Sequence, residues 1–243
     1  MNIGIIGFGD FSKTIIRYLS PHATIVVATR QKNPKTNLKC RFVDDQEALS
    51  QEIVILSIPA QFLESYISQH VDNVRPGTLV VDVCSVKVKP VEILNRLLPK
   101  EIQILATHPM FGPFSAADSL AGQRIMLAPV RIEPALYEQI KTFLDKTLGL
   151  QIIETTPEQH DKVMAYVQGL SHYIGRVMDI MKIPDTELLT AAYKDLLDMK
   201  RIQGGDSWDL FESIMLQNPY AQSVHDEFKR ACQRLDVKLS LTP

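Results

Sequence analysis

The residues best suited to chemistry are a histidine and a serine, each placed just after a short apolar run. His108 lies in "THPMFGP", residues 107–113, and Ser85 lies in "DVCSVK", residues 82–87. An imidazole titrates near neutral pH and can exchange a proton with a substrate, while a hydroxyl can bond a substrate oxygen. The residues alone leave structural alternatives open: His108 could be a packed histidine bonded to backbone, and Ser85 could cap a helix.

The residues around His108 also predict its backbone. Pro109, Gly112 and Pro113 disfavour both a continuing helix and a central strand. We therefore expect residues 107–113 to form a stiff loop after a strand. Ser85 also follows a predicted strand. Because ligands of open α/β sheets bind beyond the carboxyl ends of the strands, these two side chains could converge at one sheet edge.

A glycine turn near the start of the chain predicts a nucleotide site. "GFGDFS" places Gly7 and Gly9 between a strand and a helix in a G-x-G-x-x-G arrangement, with Ser12 at the third position. Gly7 permits the tight turn, and Gly9 lets a pyrophosphate approach the helix N-terminus. A plain turn is the alternative, since turns use glycine widely. The flanking strand and helix favour dinucleotide binding.

The end of the second predicted strand, "ATRQK", indicates which dinucleotide is bound. No acid follows this strand before Asp44, whereas sites that prefer NAD place an acid there for the ribose hydroxyls. Arg30 could instead hold a 2′-phosphate with its forked donors. The alternative is that Arg30 and Lys32 form a solvated basic loop. We favour NADP as the cofactor, with NAD as the alternative.

Short apolar strands alternate with helical segments over the first 155 residues. Strands are expected at 2–6, 23–28, 51–58, 78–83, 102–106, 124–128 and 151–154, with helices at 11–19, 60–71, 91–98 and 133–148. This alternation predicts a Rossmann-type, doubly wound and mostly parallel sheet covered on both faces.

The pattern becomes helical at Thr155, where a threonine cap precedes Pro157 at the first helical position. We therefore predict a dinucleotide-binding domain at 1–155 and a smaller all-α domain for substrate binding and dimerisation at 156–243. A helical piece of this size often buries surface against a partner, which favours a homodimer.

Composition excludes several other classes of function. The 26 basic residues nearly balance 28 acidic ones, so no electrostatic feature predicts nucleic acid as a partner. No apolar run reaches the roughly 18 residues of a membrane-spanning helix, and the N-terminus lacks the pattern of a signal peptide. Three widely spaced cysteines fit no zinc motif, and no metal site is expected. A reduced cytoplasmic protein with a small-molecule substrate is the simplest interpretation.

"DVCSVK" followed by "THPMFGP" resembles the prephenate/arogenate dehydrogenase family of tyrosine biosynthesis. "GFGDFS" and "LSIP" are similar to the cofactor-binding segments of that family. In the second domain, "VMAYVQGLSHY" resembles its first long helix, and "KRIQGGDSWDLFESI" resembles the segment with its substrate-binding arginine. The resemblance covers nearly the whole chain.

The resemblance implies a role for each matching residue. His108 would be catalytic together with Ser85, and Arg201 would bind a substrate carboxylate, with Gln168 and His172 lining the substrate pocket. The implied cofactor-binding residues are Gly7, Phe8, Gly9, Asp10, Phe11, Ser57, Ile58 and Pro59, and the end of the second predicted strand adds Thr29, Arg30 and Gln31. Gln168 and His172 could instead form a solvated or dimer-facing stripe, and Arg201 could form a surface ion pair with Asp198 or Asp206.

The family's reaction transfers a hydride from a cyclohexadiene to a nicotinamide and decarboxylates the ring. Prephenate and arogenate differ in a side-chain keto or amino group, and the sequence does not distinguish between them. Two alternatives remain at this point. One is another NADP-dependent reductase of small substrates, with Lys194 or Lys200 as its catalytic lysine. The other is a non-catalytic nucleotide-binding sensor.

Overall fold

The computed structural model describes residues 1–204 and 206–240. The chain divides into two compact units, Met1–Pro157 and Glu158–Pro243. The first unit contains a sheet and its covering helices. Among its described residues, the second has helices as its only regular secondary structure.

One eight-stranded sheet forms the centre of the first unit, in the order β3-β2-β1-β4-β5-β6-β7-β8. The strands are β1 Asn2–Ile6, β2 Thr24–Ala28, β3 Arg41–Phe42, β4 Ile53–Leu56, β5 Leu79–Asp82, β6 Gln103–Pro109, β7 Arg124–Arg131 and β8 Gln151–Glu154. Neighbouring strands are parallel except for β6 and β7. The predicted doubly wound, mostly parallel sheet is confirmed.

Helices cover both faces of this sheet. They are α1 Asp10–Leu19, α2 Asp45–Leu49, α3 Ala60–His70, α4 Val88–Leu97 and α5 Pro134–Thr142, the last continuing as a π-helical turn at Phe143–Thr147. Apolar residues of α2, α3 and α4 share one core with β4 and β5, while α1 and α5 pack on the opposite face. Between α1 and α5 that second face keeps an apolar cleft of about 330 Å³.

Strand β6 extends further than the sequence indicated, and it contains His108. Its pairing with β5 ends where Asp82 meets Ala106, whereas its pairing with β7 continues to Pro109. Beyond Ala106 the strand is bonded on one side only, like an edge strand, so the missing N–H of Pro109 is tolerated. The prediction of a loop over residues 107–113 is therefore wrong for the first three of them.

Two short elements, β3 and α2, were not predicted. A two-residue strand gives no periodic pattern, and the five-residue α2 is too short to show one. The N-cap of α2 is nevertheless visible in the sequence, because the side chain of Asp44 accepts a hydrogen bond from the backbone N–H of Glu47 at 2.8 Å.

The second unit contains a long first helix and three further helices among its described residues. The first runs through α6 Pro157–Met164, a π-helical turn at Ala165–Leu170 and α7 Ser171–Ile180, and it is followed by α8 Ala191–Gly204, α9 Trp208–Leu216 and α10 Ala221–Ser240. Its start at a proline agrees with the sequence pattern. No helix in the described part of the chain has the length and apolar character needed to cross a membrane.

Candidate active site

The glycine turn after β1 requires glycine at its first position. Gly7 has a φ of 102°, and its N–H bonds the carbonyl of Ala28 at 2.9 Å. A Cβ at Gly7 would collide with the carbonyl oxygen of Ser57. Gly9 differs, because a Cβ there would meet no atom within 4 Å. The turn is thus packed against the backbone of Ser57 at Gly7, whereas the space next to Gly9 is open.

Open space at Gly9 suits the approach of a phosphate. Gly9 is the N-cap of α1, and no side chain caps that helix. The first-turn N–H groups and the helix dipole therefore favour an anion at this point. The residues present fit the pyrophosphate of a dinucleotide.

Ser12, at the third position of the motif, is fully buried. Its hydroxyl donates to the hydroxyl of Ser57 at 2.8 Å, so the serine joins the first cofactor segment to the segment after β4. A small polar residue thus preserves the close approach of helix and strand that glycine usually allows there.

Side-chain contacts also bring the segment after β2 to the glycine turn. The amide of Gln31 donates to the carbonyl of Phe8 at 3.0 Å, and the hydroxyl of Thr29 accepts from the N–H of Gln31 at 3.2 Å. Arg30 is exposed, and its guanidinium lies 5.8 Å from the ring centre of Phe62. Phe62 is a contact that the sequence analysis missed, since nothing in the motif indicates it.

The remaining predicted cofactor residues lie at the same sheet edge. Pro59 is the N-cap of α3, and the thiol of Cys84 donates to the carbonyl of Ile58 at 3.6 Å. Asp10 is exposed in the first turn of α1, where it pairs with Lys13 at 2.8 Å. The structure thus brings together the segments that follow β1, β2, β4 and β5.

Ser85 lies half-buried between β5 and α4. The N-cap of α4 is Lys87, and no side chain caps that helix. Ser85 therefore does not cap α4, and the alternative interpretation of this serine as a helix cap is wrong. The serine remains available for a role at the sheet edge.

His108 is buried in β6, with 3% of its surface exposed. Side chains alternate along a strand, and Thr107 lines the apolar cleft, so His108 lies on the opposite face with Ala106 and Met126. Asp82 and Ala106 are register partners. Ser85 follows Asp82 by three residues, and His108 follows Ala106 by two. Both therefore lie just beyond the last paired residues of two neighbouring strands.

A buried ion pair lies behind these two residues. Lys87 and Asp82 are both fully buried, and the Lys87 ammonium bonds the Asp82 carboxylate. Burial raises the pKa of Asp82, and the charge of Lys87 opposes that shift. Both residues belong to "DVCSVK", but the sequence analysis gave them no role, because their burial cannot be read from the motif.

In the second unit, Gln168 and His172 lie on the long first helix. Gln168 is half-buried in the π-helical turn, a feature often found at functional sites, and His172 is buried in α7. Nδ1 of His172 is 3.4 Å from Oδ2 of Asp206. Burial, and secondly the charge of Arg176, lowers the pKa of His172 to about 4. Its imidazole is therefore neutral near pH 7.

Arg201 is exposed on α8, and its guanidinium pairs with Asp198 at 3.3 Å. This is one of the surface ion pairs that the sequence left open. Another arginine, Arg176, is buried beside His172, donates to the carbonyl of Asp206 and lies 4.8 Å from the ring centre of Trp208. Arg176 was not predicted from the sequence, where its only signal is its position four residues after His172.

Models of known families match both parts of this chain. Residues 16–153 match the nucleotide-binding domain of prephenate dehydrogenase, and residues 156–241 match the prephenate dehydrogenase dimerization domain. The first match begins after the glycine turn and includes both His108 and Ser85.

Curated relatives agree with these matches. The chain is 33% identical to arogenate dehydrogenase 2, chloroplastic, of Arabidopsis thaliana, over 98% of its own length and 70% of that protein. It is 28% identical to a probable arogenate/prephenate dehydrogenase of Methanocaldococcus jannaschii. The chain covers 56% of the length of that second relative.

A solved structure shares the fold. The prephenate dehydrogenase of A. aeolicus, in complex with hydroxyphenyl propionate and NAD+, superposes with a TM-score of 0.74 at 19% identity. The superposition covers 99% of this chain and 91% of that one.

Proposed function

This chain belongs to the prephenate dehydrogenase family, and we propose that it oxidises and decarboxylates prephenate or arogenate in tyrosine biosynthesis, transferring a hydride to a nicotinamide cofactor. One observation carries the proposal: both parts of the chain match the family, and His108 near the end of β6 and Ser85 just after β5 lie at the sheet edge that also holds the glycine turn. The alternatives of another reductase or a sensor have no comparable support.

A bound nicotinamide would accept the hydride that leaves the hydroxyl-bearing ring carbon. We propose that His108 takes the proton of that hydroxyl, because a neutral imidazole can accept a proton near neutral pH. Ser85 hydrogen-bonds the same oxygen as it becomes a carbonyl, or fixes the nicotinamide. The ring carboxylate then leaves as CO₂, its bonding electrons complete the aromatic ring, and the former carbonyl oxygen takes up a proton to become the phenol hydroxyl.

The second unit would supply the substrate carboxylate contacts. Arg201 is our proposed partner for a carboxylate, since its exposed pair with Asp198 is weak and exchangeable. His172, which is neutral near pH 7, and Gln168 would contact the ring or its side chain. Removing Arg201 should raise KM more than it lowers kcat, because a carboxylate clamp mainly binds and orients the substrate.

NADP is the proposed cofactor, on the basis of the residues after β2. Thr29, Arg30 and Gln31 present no carboxylate to the ribose hydroxyls, and Arg30 is exposed, with its guanidinium over the ring of Phe62. We expect Arg30→Ala to weaken NADP binding about tenfold and to leave NAD binding nearly unchanged.

We further propose that the chain is a homodimer assembled through its second unit, which matches a dimerization domain. The cytoplasmic location expected from the sequence stays a prediction.

The proposed reaction is tested with four mixtures: prephenate or arogenate as substrate, each with NADP or NAD. Reduction of the cofactor should be followed through the near-ultraviolet absorbance of the reduced nicotinamide, and release of CO₂ should be measured in the same mixtures. The expected result is reduction of NADP with at least one substrate. Folded protein that binds NADP and reduces it in none of the mixtures would contradict the proposal.

A further inference from the structure

Lys87 and Asp82 form an ion pair with no solvent exposure on either side chain. Such a pair adds little to stability, because removing two charges from water costs about as much as their attraction returns. Apolar residues of similar volume would serve the core as well. The pair therefore calls for an explanation other than stability.

The first part of that explanation is the end of strand β5. Pairing between β5 and β6 stops at Asp82 and Ala106, but β6 continues to Pro109. Past that point no strand bonds the β5 side of β6. The carbonyl of Thr107 would be left buried and unbonded on this side, and it accepts instead from the Lys87 ammonium.

A second bond ties the same residue to β5. The hydroxyl of Thr107 donates to the backbone carbonyl of Asp82 at 2.8 Å. Both bonds hold Thr107, which directly precedes His108. Side chains thus replace the missing strand and fix the one-sided extension of β6 that carries the imidazole.

The same carboxylate also holds the segment that carries Ser85. Oδ1 of Asp82 accepts from the backbone N–H of Cys84 at 3.0 Å as well as from Lys87. Ser85 lies between those two residues, so both ends of its short segment are anchored to one carboxylate. One buried pair therefore fixes the backbone on each side of the proposed site.

We propose that Lys87 and Asp82 are positioning residues that set His108 relative to Ser85. This inference rests on the proposed function, since it concerns the same site. Neither residue needs to touch substrate or cofactor. They act by fixing the strand extension and the serine segment at one distance, which is what proton transfer over a hydrogen bond requires.

The test uses the single variant Lys87→Met and the double variant Lys87→Met with Asp82→Leu. Met keeps most of the length of Lys87 but cannot bond Thr107. The single variant leaves a buried carboxylate unpaired and should be less stable. The double variant removes both charges and should recover much of that stability.

Positioning predicts that recovered stability does not recover activity. In the double variant we expect kcat to fall roughly 10- to 100-fold, with KM and the Kd for NADP changed by less than about threefold. Arg96→Met, which removes the exposed pair between Arg96 and Glu64, is the matched control and should leave kcat unchanged. A stable double variant with the kcat of the wild type would overturn the proposal.

A second readout does not depend on the reaction. NMR of ¹³C-labelled histidine rings, assigned by His108→Asn, should show a moved or broadened His108 signal in the double variant, while exposed His22 stays unchanged. An inactive wild type would overturn the proposed function but leave this measurement valid. An unmoved His108 signal would overturn the positioning role.

If neither the single nor the double variant folds, a smaller substitution tests the same proposal. Thr107→Val deletes only the hydroxyl that bonds Asp82. It should lower kcat severalfold without a comparable change in KM, and an unchanged kcat together with an unmoved His108 signal would count against the proposal.

Discussion

His172 and His108 are both buried, but their surroundings differ. His172 lies beside a guanidinium and a carboxylate, and burial keeps it neutral near pH 7. His108 lies in a strand extension held by Lys87. We propose that His172 bonds the substrate without changing charge, and that His108 takes the proton of the substrate hydroxyl. Residue type alone could not separate these two roles.

The lowered pKa of His172 predicts how stability depends on pH. The unfolded imidazole titrates near 6.5 and the folded one at about 4, so the unfolded chain binds the proton first as pH falls. The contribution is present above pH 6.5 and is lost between there and about pH 4. It amounts to on the order of 3 kcal/mol. Burial raises the pKa of Asp206, which opposes this trend at the acid end.

The measurement is the urea midpoint of wild type and His172→Asn across pH 4 to 7, in steps of roughly half a unit. The wild type should lose stability towards low pH more steeply than the variant. Parallel curves would show that His172 does not titrate differently in the folded state.

His108→Asn tests the proposed base directly. Asparagine keeps a polar side chain of similar reach but cannot take the proton, so we expect kcat to fall by about 10²- to 10⁴-fold. The Kd for NADP should stay within about twofold, because the glycine turn is on other strands. Near-normal turnover in this variant would remove His108 from the mechanism.

At the scale of elements, the turn between β1 and α1 separates two uses of glycine. Gly7 has a positive φ and a backbone carbonyl where its Cβ would be. Gly9 has an ordinary extended backbone and open space instead. The first glycine is needed by the fold, and we propose that the second is needed by the ligand.

This difference predicts opposite outcomes for two identical substitutions. Gly7→Ala should destabilise the protein by on the order of 3 kcal/mol, because it adds strain at a positive φ and a collision with Ser57. Gly9→Ala should change stability by less than about 1 kcal/mol and weaken NADP binding tenfold or more. Thermal unfolding and titration calorimetry measure the two effects. Similar Tm values for the two variants would contradict the assignment.

How far the sequence predicts the elements depends on the period of the apolar residues. Strands β1 and β8 were predicted with the bounds they have, because each is a short apolar run between turn residues. The extension of β6 was missed, because it depends on β7 being antiparallel and longer than β5. A proline in a sequence shows which backbone N–H is missing, but not whether a neighbouring strand lies on that side to accept a hydrogen bond from it.

The candidate site, too, could be predicted only where local sequence determines it. Local motifs predicted His108 in a loop, whereas it lies in β6. The glycine turn and the place of Ser85 after a strand could be predicted correctly from such motifs. The buried pair of Lys87 and Asp82 could not, because it depends on where a neighbouring strand ends. Arg176 could not either, since its burial depends on α9.

At the scale of the whole molecule, helix α10 bears a stripe that continues past its packed part. Val224 is buried and Phe228 is half-buried, while Leu235 and Leu239 on the same face are exposed. A helical end of this kind gains little stability alone and favours a partner. A second copy of the chain is the proposed partner, since this unit matches a dimerization domain.

Charges on that stripe should weaken the dimer. Leu235→Glu with Leu239→Glu would place like charges in an apolar contact, and symmetry would repeat them on both copies. We expect the dissociation constant measured by analytical ultracentrifugation to rise 100-fold or more. Gln233→Glu, on the other face of α10, is the control. A dimer equally tight in all three proteins would place the interface elsewhere.

The burial of Cys84 also determines how the enzyme tolerates oxidants. Cys84 directly precedes Ser85, and burial raises the pKa of its thiol far above the ordinary value. Oxidants and alkylating agents react with the thiolate, which is scarce at such a site. Cys232 is exposed on α10 in the single chain, but it lies close to the stripe that contains Leu235 and Leu239, so a dimer formed there would shield it. Peptide mapping after iodoacetamide treatment should find Cys84 unlabelled and activity retained, so oxidative damage would begin away from the proposed site.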